Sequence, residues 1–328
     1  MTRHPSVEFR VGASPTPHFA LMLALLYQSL QRHAGLDRFD MTVIVSAGPD
    51  QQAETAAFAE WLAPEIRCHP VDPAMFKDHG VHGAADLRLQ LPCTADVMVC
   101  IDADMIACGD LSELLGDCVA QSTVAGVVAH IAPITRQDWG NLHAAAQLDP
   151  PTFPYRYTGW PYMWKKEDRT PGAMMAPPYF NYGFVVIPEA ARQSIAEHHR
   201  ACANAARQAF PSSVFRSQIS LTLAIAHSGV RHRALGMKYN FPNDVALEAL
   251  HPKELADARL LHLLRRNHMF DKREIFASLE TLKDFAGTGW ETAGSLEIAR
   301  GIIADILPEL EQRARPGQLA HPSWSWTS

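Results

Sequence analysis

Short apolar runs alternate with helical patterns through the first 130 residues, and this alternation constrains the fold more than any other feature of the chain. "VEFRVGAS", "MTVIVSA", "EIRCHPV", "DVMVCID" and "VAGVVAH" read as strands. "HFALMLALLYQSLQRHA", closing near Gly35, "QQAETAAFAEWLA" and "GAADLRLQLP", stopping at Pro92, read as the intervening helices. Runs that are apolar along their whole length suit strands buried on both faces, and strands separated by helices build a mostly parallel sheet. The expected fold class is therefore α/β, a Rossmann-like, mostly parallel central sheet flanked by helices. In such sheets ligands sit beyond the carboxyl ends of the strands.

The pattern breaks between residues 133 and 178, where "PPTFPYRYTGWPYMWKKEDRTPGAMMAPP" is dense in proline and aromatic residues. A loop of this length is usually functional or disordered, and its aromatic content argues against plain disorder. It is followed by a strand, "YFNYGFVVI", helices around 189–209 and 213–228, and the strands "HRAL" and "ARLLHLL". No repeat or low-complexity linker divides the chain. One domain is expected over 1–328: a first half at about 1–130, an aromatic insertion at about 133–178, a second half at about 179–285, and C-terminal helices and tail at 286–328.

Composition narrows the function classes. A net charge of −6 argues against a general attraction to nucleic acid or acidic membranes. The six cysteines form no C-x-x-C pair, so a reducing compartment without disulfides is expected. The N-terminal stretch has no basic-then-apolar signal pattern. The longest apolar run, "FALMLALLYQSL", is interrupted well before the roughly 18–20 residues of a membrane span. A cytoplasmic protein without a transmembrane segment is expected. Trp324 and Trp326, with Arg313 and Arg315 nearby, are where a peripheral membrane contact would form.

The most informative stretch is "VMVCIDADMIACGDLSELLG", Val97 to Gly116. Asp102 and Asp104 close an apolar run that reads as a central strand, and two carboxylates placed there repel unless a cation lies between them. Mg²⁺ or Mn²⁺ suits oxygen ligands of this kind and shares its remaining positions with phosphate and water, which fits a nucleotide diphosphate. Asp110 and Glu113 have the spacing of a helix capping box and are read as helix punctuation.

The wider stretch "LRLQLPCTADVMVCIDADMIACGDLSELL" resembles glycosyltransferase family 8, the group of glycogenin and the bacterial lipopolysaccharide galactosyl- and glucosyltransferases. Further matches follow in the family's order: "YFNYGFVVI" to its Phe-Asn-x-Gly strand, "SQISLTLAI" and then "MKYNF" to its Asp-Gln helix and Tyr-Asn-Phe sequel, and "LLHLL" to its late histidine strand. Together they span residues 7 to 272. The resemblance implies a GT-A fold and a hexosyltransferase moving a sugar from a nucleotide-sugar donor, UDP-linked, to a glycan or other hydroxyl acceptor, with retention of anomeric configuration. It implies a Mn²⁺ or Mg²⁺ ion held by Asp102, Asp104 and His262. Donor contacts would come from Ala13, Arg88, Asp102, Asp104, Arg265 and His268, and Asn181 and Gln218 would stand near the reacting sugar. Trp160, Tyr162 and Trp164, with Tyr155 and Tyr157, are expected to form the acceptor platform, since sugar faces stack on aromatic rings.

The chain departs from the family pattern at three places. Ser217 stands where an aspartate is usual, and Arg265 and His268 replace a glycine and a lysine. After the first strand, "GASPTPH" offers only Ser14, Thr16 and His18 as polar groups where acidic or amide residues hold the nucleoside. These departures keep open an alternative, a non-catalytic nucleotide- or carbohydrate-binding protein on a decayed transferase fold. A nucleotidyltransferase is a third reading, disfavoured because no glycine- and basic-rich nucleotide loop follows the first strand.

Overall fold

The computed structural model describes residues 5–72, 74, 82–158, 174–264, 272–287 and 294–313. Its frame is a seven-stranded sheet of β1 (Val7–Ala13), β2 (Phe39–Val45), β3 (Ile66–Pro70), β4 (Val97–Ile101), β6 (Val124–Val128), β9 (Phe180–Pro188) and β10 (His232–Leu235), in the order β10-β6-β9-β4-β1-β2-β3. Strand pairs β1–β2, β2–β3, β1–β4 and β6–β10 are parallel. Strand β9 runs antiparallel between β4 and β6, with Val99 opposite Val186 and Ile101 opposite Phe184.

Side chains alternate across each strand, so an unbroken apolar run feeds two cores. Val97, Val99 and Ile101 of β4 join the cluster built on helices Pro17–His33, Leu279–Ala286 and Gly294–Arg313. Met98 and Cys100 join the opposite cluster, built on helices Glu189–Ala209 and Arg216–Ser228. On β1 the alternate positions are charged. Glu8 and Arg10 pair at 3.1 Å, and the fully buried Arg10 donates to the carbonyls of Arg88, Leu91 and Pro92. Arg10 thus binds orphan carbonyls at the end of helix His82–Gln90, which fixes that helix on the sheet.

Two smaller sheets complete the site end. Strand β5 (Met105–Ala107) pairs antiparallel with β12 (Leu260–His262), which pairs with β11 (Phe241–Pro242). Strands β7 (Tyr155–Arg156) and β8 (Met175–Ala176) form a hairpin stem. The strand expected over "ARLLHLL" is three residues long, and Leu263 carries its register one step further by bonding the Asp104 carbonyl. The helix after the acidic pair begins at Ser112, with Leu111 in the cap position. Asp110 accepts the Ser112 N–H at 2.7 Å, so the expected capping box with Glu113 does not form. All six cysteines are free thiols. Among the described residues no helix is long and apolar enough to cross a membrane.

Candidate metal and donor site

The carboxyl end of β4 and the β5–β12 pair converge on three groups. Asp102 and Asp104 lie in the turn between β4 and β5, and Met105 stands opposite His262 in the β5–β12 ladder. The Leu263 N–H donates to the Asp104 carbonyl at 2.9 Å and clamps the turn to β12. One ligand atom from each of Asp102, Asp104 and His262 lies within 4.8 Å of the other two.

The imidazole is held in a defined orientation. His262 Nδ1 lies 2.8 Å from Asn240 Oδ1 in the buried interior. An amide oxygen only accepts, so Nδ1 carries the proton and the Nε2 lone pair faces outward. It faces Asp104 Oδ1 at 3.3 Å. A ring nitrogen this close to a carboxylate oxygen needs a proton or a metal ion at hand, and a divalent ion suits this nitrogen–oxygen set. The residues present therefore fit a bound metal.

Gly183 makes room for this arrangement. A Cβ at this position would lie 2.9 Å from Asn181 Oδ1 and 3.0 Å from His262 Cε1. The Gly183 carbonyl accepts the Asp102 N–H at 3.2 Å, and its own N–H donates to Asn181 Oδ1 at 2.8 Å. Asn181 is thereby turned along its strand, with its oxygen engaged. Arg88 reaches in from helix His82–Gln90. Its Nη1 donates to the Ile101 carbonyl at 3.1 Å and to Asp102 Oδ1 at 3.3 Å, and its guanidinium stacks 4.2 Å from the centre of the Tyr182 ring. A planar fork so stacked holds one orientation better than a flexible ammonium would.

The other predicted residues spread around the same sheet end. Ala13 closes β1, and its carbonyl accepts the Ser46 N–H at 2.8 Å. Thr16 caps helix Pro17–His33, so its hydroxyl is engaged by the backbone. Gln218 sits in the first turn of helix Arg216–Ser228 beside the Tyr179 hydroxyl, and Tyr179 bonds Ala129 just past β6. Tyr155 and Tyr157 are corrected from acceptor platform to packing. The Tyr155 hydroxyl bonds His232, and Tyr157 is buried against Tyr179. Arg313 bonds Glu65 and the Trp61 carbonyl, so it faces the protein. Trp160, Tyr162, Trp164, Arg265, His268, Arg315, Trp324 and Trp326 lie outside the described residues.

The sequence reading missed four residues that build the site. Asn240 and Gly183 lay inside quoted motifs, where the need to orient His262 was the available signal. Tyr182, next to Gly183, supplies the ring under Arg88. His130, just past β6, has its Nδ1 2.6 Å from Thr158 Oγ1. Burial, and secondarily the nearby His262, pushes its pKa down to about 3, so it is a neutral imidazole at physiological pH. Thr158 also donates its N–H to the Ala129 carbonyl at 3.2 Å, which anchors the insertion's stem beside the site.

A family described as the Rhodobacterales glycosyltransferase domain matches residues 15–229. The match takes in Arg88, the acidic pair, Asn181 and Gln218, and ends before His262. No curated protein matches the chain. Among solved structures, a galactosyltransferase LgtC in complex with donor and acceptor sugar analogs is 14% identical, with a TM-score of 0.51, covering 89% of this chain and 99% of that one. The apo structure of WbbM, a bifunctional glycosyltransferase, is 14% identical with a TM-score of 0.50, covering 95% of this chain and 52% of that one. The chain thus spans about half the length of WbbM. At this identity the two structures establish the fold, which is the GT-A α/β fold expected from the motifs.

Proposed function

Because the chain belongs to the Rhodobacterales glycosyltransferase domain family, we propose that it moves a sugar from a UDP-sugar to a hydroxyl of a glycan or other acceptor, with retention, using Mn²⁺ or Mg²⁺ held by Asp102, Asp104 and His262. The observation that carries this reading is the His262 Nε2 lone pair aimed at Asp104 Oδ1 at 3.3 Å while Nδ1–H is engaged by Asn240.

A bound divalent ion neutralises charge on a departing diphosphate. The protein's own groups do the rest. Asn240 keeps His262 in the tautomer that offers Nε2 outward. Arg88 orients Asp102 through Nη1 and adds a buried positive charge at the end of the sheet that receives the diphosphate. Asn181, with its oxygen engaged by Gly183, presents its amide N–H groups to sugar hydroxyls. Gln218 stands by the anomeric carbon, as the family 8 resemblance implies. Arg265 and His268 follow His262 closely enough in sequence to meet the same diphosphate. The aromatic insertion, with its stem beside His130, receives the acceptor through Trp160, Tyr162 and Trp164 and shields the reacting carbon from water.

The test is a panel of UDP-sugars with Mn²⁺, Mg²⁺ or chelator, followed by UDP release and sugar transfer. Turnover that depends on the metal and vanishes in Asp102→Asn is expected. Turnover indifferent to chelator, or unchanged in Asp102→Asn, would overturn the metal assignment.

A further inference from the structure

The fold carries a second cleft, which the metal and donor site does not use. Its volume is about 450 Å³, within the range of small-molecule sites. It lies where the C-terminal half of helix Arg216–Ser228 meets the loop after helix Arg136–Ala145 and the base of the insertion's stem. Thr152 of its lining stands just before β7, and Pro177 directly follows β8.

Three imidazoles line the cleft, and each ring is held by a neighbour. His143 donates from Nδ1 to the Asp149 carbonyl at 2.8 Å. His232 Nδ1 lies 2.7 Å from the Tyr155 hydroxyl. The His227 ring stacks on that of His198, with centres 4.1 Å apart and planes within 9°. Because a carbonyl only accepts, His143 Nε2 carries a lone pair, and this nitrogen is buried without a partner among the described residues. A hydroxyl is the donor that would fill it. Polar groups fixed in advance cost a ligand little ordering.

The chemistry of the lining narrows the ligand. Among the described lining residues there is no lysine or arginine, and there is Asp149, so a phosphate or carboxylate group finds no counter-charge. The three imidazoles do not converge on an ion, since among the described residues only Asp102, Asp104 and His262 stand close enough to share one. Pro150, Pro177 and Pro178 add C–H surface beside the polar groups. A sugar ring has the matching mixture, with hydroxyls at its rim and C–H bonds on its faces.

The cleft also shares a helix with the transfer site. Thr222 lines it, and the Thr222 hydroxyl donates to the Gln218 carbonyl at 2.9 Å, one turn nearer the donor. By the rise of a helix, Thr222 is about 6 Å and His227 about 14 Å from Gln218. We propose that this cleft is a second saccharide site, holding a neutral sugar unit of the glycan acceptor away from the reacting hydroxyl. Its assignment to the acceptor rests on the transferase reading above. Its affinity for a neutral sugar does not.

Saturation-transfer NMR on the full chain, without UDP or Mn²⁺, tests the site with glucose, galactose, mannose, lactose and maltose, and with glucose 6-phosphate as the anionic control. Transfer to at least one neutral sugar, and less to glucose 6-phosphate, is expected. Ala226→Trp, at a half-buried position in the lining, should abolish it by filling the cleft. Asp149→Ala, at an exposed position, should weaken it by about tenfold, the scale of one hydrogen bond to a charged group, and Asp149→Asn should retain part of it. Asp102→Asn should bind as wild type does. Silence with every neutral sugar, a preference for glucose 6-phosphate, a signal untouched in both cleft variants, or a signal lost in Asp102→Asn would overturn the site. With an active UDP-sugar, Ala226→Trp should raise KM for an oligosaccharide acceptor several-fold while the donor KM holds. An unmoved acceptor KM would overturn the acceptor assignment. A wild-type protein inert toward every UDP-sugar would refute the transferase reading, and the NMR result would still decide whether the cleft binds sugar.

Discussion

The metal corner and the junction of buried side chains at Asp86 draw on the same short helix, His82–Gln90, and they hold charge in different ways. At the corner, two carboxylates and an imidazole lone pair converge with Arg88 as their nearby cation, and the Asp102 side chain is 36% exposed. At the junction, the Asp86 carboxylate is buried with His199 Nε2 3.8 Å away, and burial raises its pKa against the pull of Arg216, Arg88 and Arg207. The first group is short of positive charge and open to solvent, so it suits a ligand that brings a cation. The second is closed, and burial outweighs its cationic neighbours, so it suits packing between helices rather than a ligand. Charge alone does not distinguish a binding site from a brace. Access to solvent does.

This contrast sets the order of expected effects. Asp104→Asn should abolish Mn²⁺-dependent UDP binding by calorimetry while leaving the melting temperature intact, because the folded protein loses a repulsion. A cooperative loss of structure would instead place Asp104 among the bracing groups. Asn240→Ala should weaken Mn²⁺ affinity by about 10- to 100-fold, the usual cost of losing a partner that orients a metal-bound histidine. Unaltered affinity would mean that His262 needs no such support. Gly183→Ala should cost less, a several-fold loss, because the Asn181 amide oxygen and the His262 ring, 2.9 and 3.0 Å from the added Cβ, are side chains that can each shift to admit it. The same substitution should leave donor-independent stability nearly unchanged in thermal melts.

The smallest effect concerns acid stability of the junction. His199 is held at about 4, below its unfolded value, so its contribution is lost as pH falls from about 6.5 toward 4. Asp86 is held at about 6, above its unfolded value, so the folded protein gains stability over nearly the same descent. The two offset each other. Asp86→Asn removes the gain and should steepen the fall of the melting temperature between pH 6 and 4. Parallel curves for wild type and variant would show that the junction does not titrate.

The sheet was legible because β4 and β9 are short runs that feed a core on each face, and such runs leave few alternatives. The antiparallel direction of β9 was not, since apolar content does not encode pairing direction. Asp102, Asp104 and His262 were readable as a set only through their order along the chain, and the ladder Met105–His262 supplies the physical reason that they meet. Asp110 misled because its spacing to Glu113 mimics a cap, while the backbone turns two residues later and gives it the Ser112 N–H. Asp86 carried no pattern. A single acidic residue on a short polar helix looks solvated until the helices packed against it are known.

The central claim is that Asp102, Asp104 and His262 form a cation-dependent diphosphate site. Calorimetric titration of UDP into the wild-type protein, with Mn²⁺ and then with chelator, tests it most directly. Binding with Mn²⁺ that disappears with chelator and in Asp102→Asn is expected. UDP binding of equal strength in all three conditions would contradict it.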